Sequence, residues 1–290
     1  MKIRITADSG ADTSPEILKQ LKTNKIKILP IPIFLGNDEY KDTYDITPND
    51  VYNYFEKTGN LPTTAAPNPQ ICREFFEEAL KEDGGYDAII HFDLPSTMSS
   101  TYANCVKGSE GMDNVFVIDS LQLAGGITIQ MMYAQDLIEK GLSAKEVYQK
   151  VMARREHVVL SFLVGVISFL HKGGRCSGLA AFGANLLGIR PAIVLEKNGK
   201  MVPGKKFKGK PKDMYRAFAT HMLNKWNNPD LTRAVVEKTE MDEEIFNSVF
   251  NIFGSKFNNT FTAVTGCTIT SHCGKGTLGI AYYNDGGKFK

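Results

Sequence analysis

Short apolar runs alternate with capped amphipathic segments along the first half of the chain, a rhythm that predicts strands alternating with helices. Residues 2–7 alternate apolar and basic positions, as a short strand does, and run into Asp8-Ser9-Gly10. Ser14 then predicts an N-cap, with Pro15 at the first helical position. Residues 27–35 are rich in β-formers but carry Pro30 and Pro32. Those prolines confine the segment to an edge strand or a small excursion of ribbon and turn, ending at Gly36-Asn37-Asp38. Thr47-Pro48-Asn49-Asp50 signals a helix through Phe55, Asn68-Pro69 another, and Ser143 with Glu146 a last one. Residues 86–92 and 114–118 read as strands, the first followed by a short helix and the second by a helix after Gly126.

The second half changes rhythm. Residues 158–170 form the longest strongly apolar stretch and read as core. A small-residue helix is predicted over 180–187 and a strand over 190–196, returning through the hairpin turn Asn198-Gly199 as residues 200–207. Helices over 211–225 and 241–256 and strands over 231–237, 260–264 and 279–283 complete the pattern. The expected fold is α/β in two domains. The N-terminal one, 1–160, has a mostly parallel, Rossmann-like sheet with a ribbon excursion near 27–46; the C-terminal one, 161–290, is α+β with a mixed sheet.

Composition removes several function classes. The 290 residues carry 34 Lys and Arg against 32 Asp and Glu, a net charge of +2 and no excess for a nucleic-acid face. No run of 18 apolar residues occurs, and the N-terminus lacks the apolar core of a signal peptide, so a cytoplasmic location is expected. Five cysteines (Cys72, Cys105, Cys176, Cys267 and Cys273) without a CxxC pair argue for reduced thiols. His171…Cys176 and His272-Cys273 are too loosely clustered for zinc, so no metal is expected.

Candidate chemistry gathers where strands end, because ligands of open α/β sheets bind beyond the carboxyl ends of the strands. Asp8-Ser9, Asp119-Ser120 and above all Ser96, Thr97, Ser99, Ser100 and Thr101 load those ends with hydroxyls, and Thr63-Thr64 precede the Asn68 helix. Hydroxyls and free amides there suit a small anion, although capping and turn roles explain Ser9, Thr13 and Ser120 equally well. No GxGxxG, Walker or GxSxG motif is present, so no cofactor and no nucleophile-plus-base site is indicated. Two glycine-rich cationic segments, His171 to Ser177 and Ser271 to Gly276, bring Arg175 and His272 as candidate anion neighbours. The run Lys205, Lys206, Lys208 and Lys210 reads as a solvated hairpin arm.

Thr6-Ala7-Asp8-Ser9, Pro62-Thr63-Thr64…Pro67, Met98-Ser99-Ser100-Thr101-Tyr102 and Lys172-Gly173-Gly174-Arg175 occur in an order and spacing that resembles the DegV family, bacterial fatty-acid-binding proteins. Val117-Ile118-Asp119-Ser120 and His272-Cys273-Gly274-Lys275-Gly276 add to the resemblance, which spans the chain. It implies that one long-chain fatty acid is buried and presented to a separate fatty acid kinase subunit, which makes the acyl phosphate for phospholipid synthesis. The protein itself would be non-catalytic, and a transient membrane-surface contact goes with that role. The carboxylate-holding positions map onto Thr64 and Ser99, with Thr63 and Ser100 beside them, and the outer polar network onto Arg175 and His272. The chain departs from the pattern at Ala65, Ala66, Ser100 and Lys275. Two other readings stand beside this one: a small-anion transferase or hydrolase using Ser96 to Thr101 and His272, and a scaffold with an empty pocket.

Overall fold

In the computed structural model, which describes residues 1–23, 25–176, 178 and 188–289, the first half of the chain closes into a sheet of four parallel strands. After β1 (Ile3–Asp8), helix α1 (Pro15–Gln20) starts at Ser14, whose Oγ accepts the Ile17 N–H, and β2 (Lys27–Leu29) returns to pair with β1. The prolines then split the predicted 27–35 segment. Pro30 has no N–H for a ladder, and from β3 (Pro32–Leu35) onward the chain leaves the sheet to pair antiparallel with β4 (Asp38–Lys41). One segment thus supplies both predicted alternatives, an edge strand and an excursion.

Helix α2 (Pro48–Thr58) carries the Thr47–Asp50 capping box and continues past Phe55 until Gly59 takes a left-handed φ of 69°. The two-residue β5 (Thr63–Thr64), too short to show in any pattern, completes a small sheet of order β4-β3-β5. Helix α3 (Pro69–Lys81) is capped by Asn68, and β6 (Ala88–Asp93), α4 (Thr101–Gly108) and β7 (Val115–Asp119) complete the parallel sheet in the order β2-β1-β6-β7. Helix α5 (Gly125–Glu139) is buried all along its first ten residues, and α6 (Ala144–Arg154) starts at the Ser143–Glu146 box.

The apolar stretch 158–170 is not one element. It gives a fully buried strand β8 (Val158–Leu163) and, beyond Gly165, helix α7 (Ile167–Gly173). A Cβ at Gly165 would collide with the backbone of Lys275 and Gly276, so this crossing requires glycine. The helix predicted over 180–187 lies outside the described residues. Strands β9 (Ile189–Leu195) and β10 (Met201–Lys208) form the predicted hairpin, with Gly199 at φ 81°. Then follow α8 (Pro211–Lys225), β11 (Ala234–Lys238), α9 (Glu243–Gly254) and β12 (Thr260–Val264). Strand β11 begins later than predicted because Asp230 Oδ1 accepts the Thr232 N–H and O–H, holding that stretch in a turn. Helix α10 (Cys267–Cys273) has no counterpart in the sequence pattern; Ser271, His272 and Cys273 of the glycine-rich cationic segment are its last turn. Strand β13 (Leu278–Tyr283) completes a mixed six-stranded sheet, β10-β9-β8-β13-β11-β12, in which only β11 and β12 pair in parallel.

Helix α5 lies between the two large sheets, touching β1 and β6 on one side and β8, β11 and β13 on the other. A helix whose first ten residues are buried on every side belongs in such a place. Among the described residues no helix is long and apolar enough to cross a membrane.

Buried carboxylates join the halves. Glu237 on β11 accepts the Gly125 N–H that opens α5. Asp12 accepts the Gly266 N–H at 2.8 Å, and Asp42 accepts the Cys267 and Thr268 N–H groups at 3.1 and 2.7 Å where α10 begins. Burial pushes the Glu237 carboxyl up to about 8. Its folded pKa lies above the unfolded one, so the folded state holds the extra proton. The resulting stability is complete below the unfolded value near 4.5 and is lost as pH rises through 8. Denaturant unfolding between pH 5 and 9 is expected to show stability falling with pH. In Glu237→Gln the slope is expected to be shallower by up to about 1.4 kcal/mol per pH unit, one proton's worth; superimposable profiles would contradict this.

Candidate functional site

The end of the parallel sheet and helix α10 face each other across an apolar cavity of about 80 Å³. Leu94, Leu123, Phe162, Leu170, Met201 and Ile269 supply its greasy walls, and Thr64, Ser99, Arg175, Thr268 and His272 its polar points. Backbone pairing places each hydroxyl. Thr64 is opposite Ile33 on β3, and the next N–H, of Ala65, is held by the Pro32 carbonyl at 3.2 Å. Side chains alternate along a strand, so Thr64 lines the cavity while Thr63 is exposed and does not.

Ser99 sits on the loop from β6 to α4. Asp8 accepts the Leu94 N–H at 2.8 Å at the base of this loop, and the Ser99 N–H bonds to the Pro95 carbonyl at 3.1 Å. The hydroxyl-rich stretch divides its labour. Ser96 Oγ donates to Asp119 at 2.6 Å, Thr101 is fully buried and bonds Ser99 Oγ at 2.7 Å, and Ser100 is exposed outside the cavity lining. Only Ser99 of the five hydroxyls lines the cavity. Ser9 and Ser120 are structural: Ser9 Oγ accepts the Ile31 N–H at 3.0 Å, and Ser120 Oγ donates to the Asp93 carbonyl at 2.6 Å.

Arg175 and His272 line the same cavity from the second half of the chain, which brings together four of the six predicted site residues. Arg175 is exposed and its guanidinium donates to the Gly173 carbonyl at 2.7 Å. His272 is deeper than an outer position implies, with Nε2 3.1 Å from Thr64 Oγ1. Burial, helped by the nearby Arg175 guanidinium, pushes the imidazole down to about 4, so the ring is neutral at pH 7. Its Nδ1 is buried without a partner among the described residues. A buried N–H without an acceptor costs more than an idle lone pair, so the proton belongs on Nε2. His272 then donates to Thr64 Oγ1, which frees the Thr64 O–H to donate into the cavity. With the Thr101 O–H donating to Ser99 Oγ, the arrangement offers two neutral hydroxyl donors beside an apolar space, with Arg175 as the cation at its edge.

Sequence reasoning did not single out Thr268 or Leu94, Leu123, Phe162 and Ile269. A pocket wall and a core have the same composition, so nothing in the pattern marks them. The residues considered for zinc, His171, Cys176, His272 and Cys273, form no ligand cluster among the described residues.

Residues 2–285 match the model of the DegV family, described as uncharacterised proteins. The chain belongs to the DegV family. A fatty acid-binding protein of Thermotoga maritima is 26% identical over 303 residues, covering 97% of each chain. The crystal structure of a DegV lipid binding protein from the same organism superposes with a TM-score of 0.81 at 26% identity, covering 98% of each chain. The fatty acid kinase B3 protein of Streptococcus pneumoniae, solved with linoleic acid, has the same fold, with a TM-score of 0.82 at 22% identity over 98% of this chain and 100% of that one. The DegV fold, a parallel sheet and a mixed sheet with helices, is thus the fold of this chain.

The state of His272 is measurable. Its folded pKa lies below the unfolded one, so its contribution to stability is complete above about 6.5 and lost as pH falls toward 4. Histidine NMR of this DegV protein is expected to show one imidazole titrating near 4, with a higher midpoint in Arg175→Ala. A midpoint at the ordinary histidine value would contradict the buried, neutral ring.

Proposed function

We propose that this DegV protein binds one long-chain fatty acid, with the carboxylate at Thr64 and Ser99 and the acyl chain among Leu94, Leu123, Phe162, Leu170 and Ile269. The observation that carries this reading is that two hydroxyls 35 residues apart, Thr64 on β5 and Ser99 on the loop from β6 to α4, line one largely apolar cavity. The names of the Thermotoga maritima relatives, a fatty acid-binding protein and a lipid binding protein, support the ligand class. The chain is taken as two domains meeting near residue 160, with the ligand between them.

The division of energies agrees with this chemistry. Burying a dozen methylenes gains on the order of 10 kcal/mol gross at about 0.8 kcal/mol each, and association and ordering take back a large part. A hydrogen bond to a charged carboxylate contributes about 1–3 kcal/mol. The tail therefore sets affinity and the hydroxyls set orientation. An unpaired buried carboxylate is costly, so Thr64 and Ser99 keep the acid ionised and in one pose.

Presentation to a separate kinase subunit is the proposed use of that pose. The protein supplies position and the partner supplies phosphoryl chemistry; the kinase-system protein of the same fold supports this role. Arg175, exposed and lining the cavity, is the residue assigned to contact between the partner and the head group. A transferase or hydrolase is less well served. Ser96 is committed to Asp119, and among the described residues no hydrogen bond joins His272 to the 96–101 loop.

Native mass spectrometry of freshly purified protein is expected to show a co-purified adduct of fatty-acid mass; a phosphorylated metabolite in its place would favour the transferase. In displacement assays on stripped and reloaded protein, Ser99→Ala is expected to lose about 5- to 150-fold in affinity, and Thr64→Ala with Ser99→Ala to retain little lipid. Wild-type affinity in the double variant would move the carboxylate elsewhere. Arg175→Ala is expected to slow acyl phosphate formation by an added kinase while keeping its lipid, and complete lipid loss in a folded variant would instead make Arg175 a direct ligand.

A further inference from the structure

Away from the cavity, on the face of the parallel sheet covered by α3 and α4, lies a cluster that fatty-acid binding does not use. His91 and Asp93 are two apart on β6 and so point to one face. Cys105 reaches them from α4, and Cys72 reaches Cys105 from α3. All four side chains are fully buried. His91 Nε2 is 3.0 Å from Asp93 Oδ1, and Cys105 Sγ is 3.7 Å from that nitrogen and 3.5 Å from that oxygen. Cys72 Sγ stands 3.4 Å from Cys105 Sγ. The second carboxylate oxygen of Asp93 is buried with no partner among the described residues.

We propose that His91, Asp93 and Cys105 form a buried site for one divalent transition-metal ion of the zinc type, with the second carboxylate oxygen of Asp93 free to take the fourth position. Imidazole nitrogen, carboxylate oxygen and thiolate sulfur are the donors such an ion takes. Bonds of about 2.0–2.3 Å at tetrahedral angles hold donors about 3.3–3.8 Å apart. The three donors already stand at nearly those separations, so binding needs little movement. Charge also closes: a dication with the Asp93 carboxylate and one thiolate, from Cys105, is neutral, as a dry interior demands. The thiol proton of Cys105 leaves to solvent as the sulfur–metal bond forms.

The surroundings are those of a metal site rather than of a lone ion pair. Thr6, in register with His91 on β1, places its Oγ1 2.8 Å from His91 Nδ1. With Nδ1–H donating to Thr6, the Nε2 lone pair faces the metal, the usual arrangement of a ligating histidine. Phe75 and Phe76 pack on the imidazole with ring centroids 5.6 and 5.0 Å away and close the site to water. Chain spacing hid this set, because Cys105 lies on a helix 14 residues beyond His91.

Cobalt(II) is the probe. Chelator-stripped, reduced protein is unfolded in denaturant and refolded with one equivalent of cobalt, which lets the ion reach a buried site. The expected product shows thiolate-to-cobalt charge transfer and the intense visible bands of a tetrahedral ion, both lost on adding zinc. Cys105→Ser is expected to abolish the charge-transfer band. Thr6→Val, which keeps every donor, is expected to weaken binding about 10- to 100-fold and serves if Cys105→Ser does not fold. Fatty-acid content should be unchanged in both, which separates this result from the fate of the lipid site. Absence of the tetrahedral spectrum would overturn the proposal. So would an unchanged spectrum in Cys105→Ser, or, where that variant does not fold, unchanged affinity in Thr6→Val.

Discussion

Carboxylates buried at the helix starts hold the two halves of the molecule in register. The first amides of any helix have no partner within it, and here those of α10 are taken by Asp12 and Asp42, more than 220 residues earlier in the chain. Glu237 does the same in reverse, from the mixed sheet to the first amide of α5. Room for that carboxylate comes from missing side chains, since a Cβ at Gly125 would stand 2.7 Å from its oxygen and one at Gly279 would collide with it. Thr268, Ile269 and His272 all ride on α10. The position of His272 against Thr64 is therefore set by acids that never touch the cavity. The arrangement concentrates negative charge, and burial together with the neighbouring Glu237 raises Asp12 well above the ordinary carboxylate range. Proton uptake relieves the repulsion.

Much of the fold was legible because its signals are local. Ser14, Thr47, Asn68 and Ser143 each accept the amide three positions on, as capping chemistry requires, and Asn198-Gly199 makes the tight turn expected of it. The elements that escaped are held from a distance. Helix α10 is seven residues of threonine, cysteine, serine, isoleucine and histidine, weak helix formers, and its cap is supplied from the other end of the chain. Strand β5 has two residues and exists because β3 presents an edge. Strand β8 and helix α7 share one apolar run, so periodicity could not divide them.

The site was legible in part. Resemblance pointed to Thr64, Ser99, Arg175 and His272, which meet at one cavity, but also to Thr63 and Ser100, which strand alternation and loop geometry turn outward. Counting hydroxyls could not tell a free donor from one already engaged, as Ser96 is with Asp119. That distinction depends on which side chains become neighbours after folding.

The strand order has a consequence for how the molecule is made. Strand β13, the last element of the fold, runs down the middle of the mixed sheet between β8 and β11. As the chain leaves the ribosome, β8 emerges long before β13 and β11 about forty residues before it, and each waits with an open, apolar edge. The β8–β13 pairing spans more than a hundred residues and is intrinsically slow, and exposed edges invite association with other chains. Whatever shelters the open edge of β8 until β13 is made therefore bears on the yield of folded protein.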